Sequence, residues 1–243
     1  MSDFDRNYAA RGAGFGRAVA VDAGLRAYML RVYNYMAIGV ALTGVAAMAV
    51  YQLVVDNPAF RQALFGSPLY WVLLLAPLGL VFFLSFRIQT LAASTARTLF
   101  FFYAALLGVS LAPIFMLYTH ASIARVFFIS AASFGALSLY GYTTRRDLSP
   151  FGSFLIMGLI GIIIASLVNL FLASDALQFA ISVIGVIVFA GLTAWDTQKI
   201  KEMYDVHDDG TIAGRKAVMG ALALYLDFIN LFLMLLRLFG DRR

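Results

Sequence analysis

The sequence predicts an all-α polytopic membrane protein, a bundle of seven transmembrane helices. Hydrophobic residues make up 62% of the 243 residues and charged residues 13%, whereas soluble domains contain about 45 to 50% and about 25%. The charges are grouped in short segments between apolar blocks of roughly 20 residues, the length that crosses a hydrocarbon core about 30 Å thick. A soluble enzyme could not bury this much apolar surface, so we expect neither enzymatic activity nor a small-molecule substrate.

Seven apolar blocks follow one another along the chain, and each should be helical because irregular backbone cannot face lipid. Residues 1–27 precede them as a tail, and residues 28–243 form the transmembrane domain. The interior prolines Pro77 and Pro113 should bend their helices where neighbouring helices satisfy the freed carbonyl groups. The predicted spans are 28–55, 69–86, 99–118, 123–142, 151–172, 177–197 and 217–239.

The distribution of basic residues predicts the orientation. The N-terminal tail and the second, fourth and sixth loops carry most of the lysines and arginines, whereas the opposite loops carry only Arg61 and Arg125. This asymmetry predicts a cytoplasmic N-terminus. The C-terminus then lies outside, where Arg237, Arg242 and Arg243 break the rule, unless the last segment is re-entrant and returns the tail to the inside.

The net charge of +5 does not indicate nucleic-acid binding, because the basic residues are confined to helix ends and loops. The absence of cysteine excludes disulfides and thiolate metal sites.

Two aspartates lie within segments that are predicted to cross the membrane. Asp227 is in the middle of the seventh span, and Asp196 ends the apolar run of the sixth. A charge at a helix centre costs roughly 2.5 to 3.5 kcal/mol on the insertion scale, so such residues are functional candidates by default. Both lie on faces of small and polar residues at helical spacing, and the two faces should meet inside the bundle. The sixth helix contributes Gln178, Ser182, Gly185, Phe189, Thr193 and Asp196, and the seventh contributes Gly220, Ala223, Asp227, Asn230, Met234 and Arg237.

The depth of the two aspartates sets a condition. Ala217 and Asp227 are about 15 Å apart along a helix, so Asp196 reaches the same depth only if the sixth helix continues to about Asp205. Two carboxylates in a poorly solvated site cannot both ionise cheaply, and the pair should titrate as one coupled unit.

Three further residues complete the predicted site. Arg87, at the cytoplasmic end of the second helix, could engage a charged aspartate, and protonation would weaken that contact and allow a helix to move. Thr193 and Asn230 are the expected secondary polar lining. Alternatively, Asp196 caps its helix, Asp227 is a structural group bonded to Asn230 or a neighbouring helix, and Arg87 is a membrane-surface anchor.

At these residues the sequence resembles the Bax inhibitor-1 family of transmembrane proteins, in its bacterial branch. The strings that carry the resemblance are Gly-Leu-Thr-Ala-Trp-Asp-Thr-Gln-Lys-Ile-Lys at 191–201 and Leu-Tyr-Leu-Asp-Phe-Ile-Asn-Leu-Phe at 224–232, with support at 235–240 and from Ser-Leu-Ala-Pro-Ile-Phe at 110–115. The resemblance implies a bundle around a central seventh helix and a pH-sensitive calcium leak. It also implies that Asp196 and Asp227 form a di-aspartyl sensor with Arg87 as partner. Trp195 departs from the tyrosine that relatives often carry, and the sixth loop looks longer than in compact relatives.

Several other motifs do not carry a function. Residues 205–216 imitate a calcium-binding loop, but the twelfth position is Lys216 rather than glutamate. His120 and His207 are too far apart in sequence to suggest a metal site. An intramembrane aspartyl protease would carry Tyr-Asp and Gly-x-Gly-Asp strings at its two membrane aspartates, and neither string stands at Asp196 or Asp227, since Asp227 follows Leu-Tyr-Leu.

We therefore expect a pH-sensitive cation leak channel in the bacterial inner membrane, with calcium as a possible permeant ion, no cofactor and no dedicated metal site. A second hypothesis is a non-conducting regulatory protein. It would bind and modulate another membrane protein, such as a quality-control protease or a cell-death factor. The lipid bilayer is a partner in both cases.

Overall fold

The computed structural model describes residues 3–243, with side chains described from residue 22 onwards. Residues 3–27 of the predicted tail are part of helix α1, but the side chains of 1–21 lie outside this description, so the predicted boundary at residue 27 stays a prediction. The described chain is almost entirely helical. The helices are α1 (Asp3–Asp56), α2 (Pro58–Phe65), α3 (Leu69–Arg87), α4 (Ala93–Leu111), α5 (Ile114–Leu117), α6 (His120–Thr143), α7 (Ser149–Leu172), α8 (Asp175–Glu202) and α9 (Gly210–Phe239).

Seven helical segments of the described chain are long and apolar enough to cross a membrane, which confirms the predicted plan. The first is Asp22–Asp56 within α1, and α4 and α5 together form the third, Ala93–Leu117. Short connections join them, so successive spans run in opposite directions. We call the end of the bundle that holds the loops 88–92, 144–148 and 203–209 the N-terminal end, and the other the C-terminal end.

Helix α9 is the core of the bundle, as the sequence predicts. It packs against α8, α1, α6 and α4, and its side chains Leu224 and Tyr225 are 0% exposed. The outer helices instead expose apolar side chains to the surrounding lipid, such as Phe171 of α7 at 90%. Asp227, in the middle of α9, is therefore held inside protein rather than lipid.

Helix α7 packs against α8 and is held to it near both ends. Near the N-terminal end, the Gln198 side chain accepts a hydrogen bond from the Leu148 amide and donates one to the Arg146 carbonyl, each at 2.8 Å. Near the other end, the Asn169 amide group lies 3.4 Å from the side-chain oxygen of Gln178. These contacts hold α7 and α8 together as a helical hairpin.

At Pro77 a neighbouring helix satisfies the freed carbonyl, as predicted. Pro77 lies inside α3 and cannot donate to the carbonyl of Leu73, one turn before it. The Ser110 hydroxyl of α4 donates to that carbonyl at 2.5 Å. Pro113 interrupts the third span, since α4 ends at Leu111 and α5 starts at Ile114.

Substitution Ser110→Ala should lower the free energy of unfolding by about 1 kcal/mol, because it removes an interhelical hydrogen bond and leaves the Leu73 carbonyl unpaired. Thermal unfolding in detergent measures the loss. Ser130→Ala is the matched control, since the Ser130 hydroxyl bonds within its own helix to Val126 at 2.8 Å. Equal stability of the two variants would contradict the role of Ser110.

The C-terminal residues lie at the C-terminal end of the bundle, beside the loop between α5 and α6. The Thr119 amide donates to the Asp241 carbonyl and the Arg243 amide to the Leu117 carbonyl, each at 3.0 Å. The Asp241 carboxylate pairs with Arg125 at 3.0 Å. Helix α9 thus crosses the bundle once, and the structure does not contain the re-entrant last segment that the sequence left open.

Candidate functional site: an aspartate pair between α8 and α9

Asp196 and Asp227 come together where α8 packs on α9. Small residues set the register of the two helices. A Cβ atom on Gly220 would lie 2.9 Å from Ile200, and one on Gly185 would lie 2.8 Å from Met234. Asp196 is one turn from Ile200, and Asp227 is two turns from Gly220, so their depths differ by about one turn.

The depths of Asp196 and Asp227 come within about one helical turn of each other, but not through the predicted extension of the sixth helix. Helix α8 ends at Glu202, so its predicted continuation to about Asp205 is wrong. Helix α9 instead begins at Gly210, and its first turns project beyond the end of α8. Most of the predicted long sixth loop is consequently helical, and 203–209 remain as the connection.

The two aspartates line a cavity of about 670 Å³ bounded by α7, α8 and α9. Asp227 is 5% exposed, and one of its carboxylate oxygens has no hydrogen-bond partner among the described residues. Asp196 is half-buried, and the two carboxyl groups are close enough to influence each other's ionisation. The remainder of the wall is mostly apolar and includes Leu159, Ile163 and Leu167 of α7.

The cation next to Asp196 is Lys199, not Arg87. Lys199 lies three residues after Asp196 and lines the same cavity, although its side chain is exposed and forms no ion pair with either aspartate among the described residues. Its ammonium group also lies 4.9 Å from the centre of the Trp195 ring, a favourable cation–π distance. This position of Lys199 beside Asp196 was not predicted, although residues three apart on a helix are neighbours on its surface.

Arg87 lies outside the site. It is the last residue of α3 and is exposed, and α3 packs chiefly against α4. Among the described residues it forms no ion pair with either aspartate. The structure therefore does not form the predicted contact between Arg87 and the pair.

Of the two predicted polar lining residues, only Asn230 lines the cavity. Its side-chain amide donates to the Leu226 carbonyl at 2.8 Å. Thr193 is 0% exposed and points elsewhere, since its hydroxyl donates to the Phe189 carbonyl at 2.8 Å. One turn later on α8, Thr197 bonds Ser138 of α6 at 3.0 Å. Thr197 therefore faces α6, and Thr193 is not part of the aspartate cavity.

The acidic loop before α9 has structural contacts. The Asp209 side chain caps α9 by accepting hydrogen bonds from the amides of Thr211 and Ile212. Asp208 pairs with Lys216 at 2.6 Å, and the Asp205 side chain accepts from the His207 amide at 2.9 Å. These contacts engage the aspartates of segment 205–216, which resembles a calcium-binding loop in sequence.

Comparisons with known proteins agree with this architecture. The profile of the family described as "Inhibitor of apoptosis-promoting Bax1" matches residues 25–243. The chain is 51% identical to the inner membrane protein YbhL of Escherichia coli over 91% of this chain and 94% of that protein. It is also 51% identical to protein RP147 of Rickettsia prowazekii, over 91% and 92%. A Caulobacter vibrioides protein is 44% identical over the full length of both. The chain therefore belongs to the Bax inhibitor-1 family, as the strings around Asp196 and Asp227 predict, and is an integral membrane protein.

Proposed function

We propose that this protein is a pH-sensitive cation leak channel, with calcium as the favoured ion, and that Asp196 and Asp227 sense the proton concentration. The observation that supports the proposal most directly is the Asp227 carboxylate, which is buried at mid-span beside a second carboxyl group with one oxygen unpaired. Burying such a group in a membrane protein carries a free-energy cost that indicates a function rather than a packing role. Hard cations also prefer carboxylate oxygen.

The arrangement suggests how protonation would open the path. While the pair carries a negative charge, Lys199 beside it is attracted into the gap between α8 and α9. Protonation of both carboxyl groups removes this attraction, so the helices can separate around the cavity. Arg87 can join the latch only in a second conformation, in which α3 approaches α8. We propose an inner-membrane location, as in the name of the Escherichia coli inner membrane protein YbhL, and a cytoplasmic N-terminus from the distribution of basic residues.

Calcium uptake into liposomes that contain the purified protein tests the proposal. Uptake should be about fivefold or more higher at pH 6 than at pH 8, the range of ordinary coupling energies. Asp196→Asn and Asp227→Asn imitate the protonated groups, so each should keep the high rate at both pH values. A calcium-sensitive dye trapped inside the liposomes reports the rate.

The matched control is Asp175→Asn, the same substitution at an exposed position in the first turn of α8. It should retain the pH dependence of the unmodified protein. Loss of pH dependence in Asp175→Asn, or its retention in both site variants, would contradict the sensor role.

The family description, "Inhibitor of apoptosis-promoting Bax1", favours the second candidate, a regulator that restrains another membrane protein. The same liposomes separate the two functions, because conduction needs no partner. Uptake equal to that of empty liposomes at every pH would exclude the channel and leave the regulator.

A further inference from the structure

A second cavity, of about 280 Å³, lies on the other side of α9 from the aspartates. It is lined by α1, the end of α4, α5, α6 and α9, almost entirely with apolar side chains, and we call it the α1–α6 cavity. Along α6 it extends from His120 to Phe128, which is about 12 Å of helix. That is most of one leaflet's share of a hydrocarbon core about 30 Å thick. Its walls include Gly44, Phe115, Phe127 and Phe232.

Basic residues lie near the end of the α1–α6 cavity that is closest to the C-terminal end of the bundle. His120 lines this end of the cavity, and the Tyr51 ring packs edge-on against His120 with ring centres 5.2 Å apart. The Arg243 guanidinium lies 3.3 Å from the Tyr51 hydroxyl. Arg242 is exposed beside it. Arg125 is already neutralised by Asp241, so the two terminal arginines provide the excess positive charge.

The position of these arginines is unusual for a membrane protein. Basic residues normally accumulate on one side of the membrane, and here they accumulate at the N-terminal end of the bundle. Arg242 and Arg243 are nevertheless fixed at the opposite end by the backbone hydrogen bonds to the α5–α6 loop. A charge held in place next to an apolar cavity matches a ligand with an anionic head and an apolar tail.

We propose that this site binds one anionic phospholipid from the leaflet at the C-terminal end. One acyl chain occupies the α1–α6 cavity, and the phosphate contacts Arg242 and Arg243. An acyl chain gains little by leaving lipid for an apolar cavity, because lipid tails are as apolar as the cavity walls. The headgroup therefore provides the selectivity, at roughly fivefold in affinity per basic residue near a membrane surface, while the cavity determines the position of the chain.

Native mass spectrometry of the full-length protein can test the site, with dioleoyl phosphatidylglycerol and dioleoyl phosphatidylcholine as probes. The unmodified protein should retain one phosphatidylglycerol at least fivefold more than phosphatidylcholine, which has the same chains but no net charge. The double substitution Arg242→Gln with Arg243→Gln should remove this preference. Equal retention of the two lipids by the unmodified protein would overturn the proposal.

The cavity itself is tested by Gly44→Leu. A Cβ atom at Gly44 would have no neighbour within 4 Å, so a side chain can start into the cavity there, and leucine should lower phosphatidylglycerol retention about fivefold by occupying its space. Gly79→Leu on α3 is the matched control, because Gly79 is equally unhindered but far from the cavity. It should retain the lipid normally.

Equal retention by Gly44→Leu and Gly79→Leu would show that the chain does not enter the cavity, and would overturn the proposal. Should Gly44→Leu fail to fold, Ala124→Leu fills the same cavity from α6, where Ala124 lines the wall and is exposed. Melting temperature in detergent verifies that each variant is folded before lipid is added.

Discussion

Substitution Gly141→Val should lower the free energy of unfolding by about 3 kcal/mol, the upper part of the range for overpacked contacts. A Cβ atom on Gly141 of α6 would collide with the backbone carbonyl of Ala194 in α8. Backbone cannot rotate away as a flexible side chain can, so the two helices must separate. Because Ala194 lies two residues before Asp196, the same displacement should weaken the pH dependence of calcium uptake.

Thermal unfolding in detergent, together with the liposome assay, measures both effects. Gly135→Val is the matched control on the same helix, because a Cβ atom at Gly135 would have no neighbour within 4 Å. Both variants carry the same cost of a β-branched residue in a helix. If they unfold at the same temperature, the close approach of α6 and α8 does not limit stability.

The second large effect is expected for Tyr225→Ala, at about 3 to 5 kcal/mol of unfolding free energy. Tyr225 is 0% exposed at the centre of the bundle. Its ring packs edge-on against Phe100 and Tyr103, with ring centres 5.5 and 5.8 Å apart. In lipid such packing is the main force between helices, and alanine would leave a cavity where α9 meets α1 and α4.

Tyr225→Phe separates the ring from the hydroxyl. The Tyr225 hydroxyl lies 2.6 Å from the Thr43 hydroxyl, which is also within hydrogen-bond distance of the Ala104 carbonyl at 2.9 Å. Thr43 therefore keeps a partner, and the phenylalanine variant should lose only about 0.6 kcal/mol. Phe86→Ala, at a side chain 80% exposed, should be close to neutral. A phenylalanine variant as unstable as the alanine variant would contradict the packing argument.

The sequence predicted those features that depend on the membrane as solvent. The seven spans follow from apolar length, and the meeting of Asp196 with Asp227 follows from the cost of exposing either to lipid. The serine that supports Pro77 could not be named, because the sequence does not say which neighbouring helix lies beside the Leu73 carbonyl.

The predictions about individual contacts were less accurate for a related physical reason. Helix α8 has neighbours on several sides, so its polar residues serve different partners. Thr193 lies on the same helical stripe as Asp196 but does not line the aspartate cavity. Arg87 was assigned by its side of the membrane and by the family resemblance, whereas contact also requires that its helix be adjacent to α8. Lys199 needed no such information, because it shares a helix with Asp196.

The fastening of α7 to α8 limits how the aspartate cavity can change. Gln198 near one end and Gln178 near the other hold α7 along the length of its partner, so α7 cannot swing outward from a single hinge. The motion that remains is a roll of α7 around the axis of α8, towards or away from α9. Such a roll would widen the aspartate cavity between α7 and α9 along its whole length at once, so both ends of the cavity would become accessible together.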